Sequence, residues 1–170
     1  MLFVPLHPPY TPTLIRKQAG REITASTPFS GDMAASAVAS VYCRLSLLAG
    51  HLDSFWDLSF GIRVVAIDRG DFDELDTQDR EEARNYIPES MRSRVMDFVA
   101  DGACAAVDVC DPDGVIITTR ETFRASDQEE TPKWIRKYLL LINRLHSHGY
   151  YVDRENRSEK NQQVWYLTNR

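Results

Sequence analysis

Cysteine is scarce in this chain, with three in 170 residues (Cys43, Cys104 and Cys110). So sparse and odd a set excludes a disulfide-stapled scaffold and points to free thiols in a reducing compartment. Long apolar runs are missing as well. None approaches the roughly 20 residues that a helical bilayer span needs, so no membrane association is expected. The opening MLFVPLHPPY has no basic stretch ahead of its apolar residues and meets Pro5 early, unlike a secretory signal. A cytoplasmic protein is expected on these grounds. The patterns GxxxxGK, GxSxG and HExxH do not occur, which removes the phosphate-binding loop, the nucleophile elbow and the zinc-peptidase helix. No enzymatic activity, cofactor or metal is therefore expected. Internal repeats, low-complexity tracts and Gly/Ser linkers are absent too.

What is present is an ordinary globular composition, 43% apolar and 26% charged, in a chain long enough for one self-sufficient core. The charge is unevenly spread. Residues 131–170 carry eight Lys/Arg against three Asp/Glu, a net +5, whereas residues 1–130 hold the other 12 bases and 22 acids, a net −10. A basic end on an acidic body suggests a polyanionic partner for that end, or attraction between the two halves.

Five of the eight prolines fall in the first 28 residues. Each lacks an amide donor and has its φ fixed, so residues 1–30 read as an extended segment. Val38, Val41, Leu45 and Leu48 recur at three- and four-residue spacing, which predicts a core helix from Ser30 to about Leu48. DSFWDLSFG reads as a turn or short helix, and IRVVAID (62–68) as a buried strand. Carboxylates gather near Asp73–Asp79 as they do at a helix start. A second helix is expected over about 89–101, with Met91, Val95, Phe98 and Val99 inward. CAAVDVCDPDGVIITTR (104–120) reads as a hairpin turning on Asp111-Pro-Asp-Gly114. The expectation is a single α+β domain with an acidic body over 31–125 and a basic module over 126–170.

Several smaller constellations have a bland reading. Asp108, Asp111 and Asp113 resemble the middle of a calcium loop, but Val109 and Arg120 occupy the positions where its terminal carboxylates belong. His146 and His148 point about 160° apart if both are helical, so they cannot share a metal. An enzymatic alternative would need a pocket around Asp108, Asp111 and the cysteines. The run at 68–82, with Asp71, Asp73, Glu74, Asp76 and Asp79, is either a solvated face or an acidic docking surface for a basic protein partner.

The strongest signal is TPKWIRKYLLLINRLHSHGYYV. Thr131 is a suitable N-cap, Pro132 suits the first helical position, and Gly149 ends the helix. At 100° per residue, Ile135, Tyr138, Leu139, Ile142 and Leu145 share one face, with Trp134 and Leu141 at its edge. Lys133, Arg136, Lys137, Asn143, Arg144 and Ser147 share the other, around Leu140. Tyr150–Asp153 and Gln163–Thr168 read as antiparallel strands across the loop RENRSEKN. Through Thr131, Pro132, Ile135, Leu139, Leu145, Gly149, Tyr150, Val152 and the VWYLT strand, this segment resembles the recognition helix and wing of winged helix-turn-helix domains. That resemblance implies double-stranded DNA binding, with Lys133, Arg136, Lys137 and Arg144 toward the major groove and Arg154, Arg157 and Lys160 on phosphates. The functional expectation is a nucleic-acid-binding protein acting in regulation or replication. The alternative is a protein-docking subunit or inhibitor acting through segment 68–82 or the wing. In the plainest reading the helix shows solvent a basic face and the hairpin closes the sheet.

Overall fold

The computed structural model describes residues 2–17, 20–48, 55–68, 71–77, 80–122, 132 and 134–170, without the side chains of 67, 68, 71–77, 80 and 122. These residues form an α+β domain around one nine-stranded sheet. The strands are β1 (Val4–Pro5), β2 (Thr13–Lys17), β3 (Glu22–Asp32), β4 (Ala37–Leu47), β5 (Phe55–Asp68), β6 (Asp71–Thr77), β7 (Gly114–Thr122), β8 (Tyr150–Arg157) and β9 (Gln162–Asn169). The helices are α1 (Arg80–Ala83), α2 (Val95–Cys110) and α3 (Ile135–His146). Sheet order is β1-β3-β4-β5-β7-β9-β8, with β2 also on β3 and β6 also on β5. Among the described residues only the β5–β7 pairing is parallel. The sheet therefore includes strands from all three segments that composition distinguishes. Among the described residues no helix is long and apolar enough to cross a membrane.

The helix expected over 30–48 is instead the end of β3, a turn and β4. Asp32 makes the turn: its Oδ1 accepts the amides of Ala34 at 3.0 Å and Ala35 at 3.2 Å, closing a hairpin. Along β4 the residues that join the apolar core, Ala37, Ala39, Val41, Cys43 and Leu45, alternate, which is strand periodicity. The helical spacing of Val38, Val41, Leu45 and Leu48 misled because it ignored the alanines. Helix α2 lies close over β3 and β4; a Cβ on Gly102 would stand 3.3 Å from the Ala25 Cβ and 3.5 Å from that of Cys43. DSFWDLSFG is likewise corrected, since Phe55–Gly61 is the first half of the 14-residue β5. The carboxylates of 71–77 lie on a strand, and the helix that follows starts only at Arg80.

The hairpin expected over 104–120 is also corrected. Cys104–Cys110 forms the last turns of α2, in which Val99, Ala100, Ala103, Ala106 and Val107 are buried at three- and four-residue spacing. Asp111, at φ 45°, caps this helix through its amide on the Val107 carbonyl at 2.8 Å. Asp-Pro-Asp-Gly thus turns helix into strand. Gly114 opens β7, and a Cβ there would overlap the Phe55 ring on the neighbouring strand.

Candidate functional site

The C-terminal helix and ribbon stand as α3, β8 and β9, but β8 runs on to Arg157, so the first half of the expected loop RENRSEKN is strand. Trp134 precedes α3 without capping it through its side chain; Thr131 lies outside the described residues. Gly149 adopts φ 89° behind the helix, and Tyr150 then enters the sheet fully buried with its hydroxyl on the Pro112 carbonyl at 2.9 Å. Strand β9 is internal, held by β7 on one side and β8 on the other. Where β7 bulges, the buried Thr119 hydroxyl accepts the Gln163 amide and donates to the Glu121 carbonyl, both at 2.9 Å.

Helix α3 is rotated from its expected setting. Its buried residues are Ile135, Tyr138, Leu141, Ile142 and Leu145, so Leu141 is interior and Leu139 is 42% exposed. The four consecutive apolar residues Leu139–Ile142 span a full circle, and a helix flanked on one side cannot bury them all. Helix α3 packs on α2, and Leu141 and Ile142 are the two that join the core. Leu139 and the 38%-exposed Leu140 are left facing outward, where they line a shallow open depression with Arg136, Asn143 and Arg144. The sequence pattern placed Leu140 on this face but assigned Leu139 to the buried one, although four apolar residues in succession on a short helix signalled that some would stay outside.

The cations meet different fates. Lys137 is bound to the Glu121 carboxylate and lies 4.9 Å from the Tyr138 ring centroid. Tyr138 donates to the same carboxylate at 2.8 Å and accepts the Arg120 amide at 3.2 Å. Burial raises the Glu121 carboxyl, but the hydrogen bonds from Lys137 and Tyr138 outweigh it and hold it below the ordinary value. Arg144 is bound to Asp101 of α2, which raises its already high pKa. Arg136 is exposed and has no acidic partner among the described residues. Lys133 lies outside them. Arg154 stacks 4.1 Å from the Tyr166 centroid. Tyr166 alternates along β9 with Trp165, which packs on Tyr138 of α3, so Arg154 is on the sheet face away from the helices. Arg157 is engaged, and Lys160 is exposed in the turn between β8 and β9. Of the described residues, Arg136, Lys137 and Arg144 therefore stand on α3, whereas Arg154 lies on the opposite face of the sheet.

The other candidates are largely engaged in the fold. Asp108 lies 2.7 Å from His148 Nδ1, and Asp111 accepts the Asn169 amide at 3.3 Å. His146 stacks on Tyr151, so the two histidines part. Burial pushes the Cys104 and Cys110 thiols up to about 11 and Cys43 higher still, which leaves all three protonated near neutrality. The side chains of Asp71, Asp73, Glu74 and Asp76, and all of Asp79, lie outside the described residues. On the sheet face away from the helices, Glu22 approaches Arg44 at 3.9 Å, and Arg44 and Arg63 both lie 5.3 Å from the Tyr42 centroid. Burial raises the Asp57 carboxyl on that same face, with Arg120 opposing the shift.

No protein-family profile matches this chain, and no curated protein or solved structure is detectably similar to it.

Proposed function

We propose that the protein is a non-enzymatic docking subunit that engages a protein partner through the outward face of α3. The observation that carries this reading is the composition of that face: two exposed leucines at its centre, with Arg144 already bound to Asp101. Exposed apolar side chains grouped on one helix face are a docking feature. A phosphate backbone offers them nothing to bury against. The strand β6 of the acidic segment is a second route to a basic partner, because among the described residues it pairs with β5 alone.

Double-stranded DNA remains the rival reading, supported by Arg136 and Lys160, which have no acidic partner among the described residues. One experiment separates the two. A photocrosslinking amino acid placed at position 140 of the full chain in its native host should form a discrete protein adduct, lost on Leu139→Glu. An adduct with nucleic acid, or none at all, would reject the docking reading. Binding to duplex DNA would in addition weaken linearly in log salt by about 0.9 per phosphate contacted.

A further inference from the structure

We draw no further inference here: the strongest candidate, the sheet face away from the helices where Arg44 and Arg63 lie against the Tyr42 ring and Arg154 against that of Tyr166, carries nothing, because Arg44 is already approached by Glu22, Arg63 is engaged within the fold and nothing in the structure shows what would cover the face.

Discussion

Helices α2 and α3 pack on one another, yet they are built to different ends. Half of the 16 residues of α2 are buried, and several of these are small: Ala100, Gly102, Ala103 and Ala106 let the helix sit down on β3 and β4. Helix α3 buries five larger side chains on one side and leaves two leucines on the other. The inward residues of both helices are accounted for by the core. Leu139 and Leu140 are each more than a third exposed and lie outside the core cluster.

The largest expected effect lies where α3 behaves like α2. Leu145 is fully buried against the core, so Leu145→Ala should cost about 3 kcal/mol through lost transfer energy and the cavity left behind. Urea unfolding measures it, and a loss near zero would show that α3 is not anchored by that face. Next comes the close approach of α2. Gly102→Val would drive methyl groups toward Ala25 and Cys43, and overpacking of this kind costs about 2 kcal/mol. A neutral or stabilising result would mean that the helix can lift away, and that the alanine stripe of β4 is not fitted to it.

A smaller effect tests the latch between α3 and β7. Glu121→Gln keeps the shape of the side chain and removes the charge that Lys137 and Tyr138 bind, at a cost of about 1–2 kcal/mol near neutrality. The pH dependence has a definite sign. The folded carboxyl titrates below its ordinary value of 4.5, so the unfolded chain binds the proton more readily. The stabilisation is complete above 4.5 and is lost as pH falls through the folded value. The gap in urea midpoint between wild type and Glu121→Gln should therefore narrow from pH 7 to pH 3. A gap that stays constant would show that the ion pair contributes nothing to the difference.

The same contrast explains how much was legible in the sequence. Helix α3 and the ribbon were readable because their signals are local, a strong two-sided pattern and a glycine that takes positive φ, although the expected eight-residue loop shrinks to a turn of four. The second half of helix α2 and strand β4 exchanged appearances, since both are rich in alanine, which marks a face in neither periodicity. Their identity is settled by each other, since small residues are needed wherever helix and sheet approach closely, and no local rule reports that. The cationic set was legible as composition but not as a surface. The ion pairs of Lys137 with Glu121 and Arg144 with Asp101 join residues 16 and 43 positions apart. The pleat then sends Arg154 to the far side of the sheet.

The smallest expected change in stability is also the one that isolates function. Leu139 is 42% exposed on α3, and glutamate is a good helix former, so Leu139→Glu should alter unfolding free energy by less than about 0.5 kcal/mol. Binding should respond in the opposite sense, because the substitution removes apolar area and puts a carboxylate three positions from Arg136, within reach of its guanidinium. Loss of the position-140 crosslink at unchanged urea midpoint would separate the two faces of α3 cleanly. A large fall in stability would instead return Leu139 to the core, and the exposed stripe would then be an accident of packing with no partner to explain.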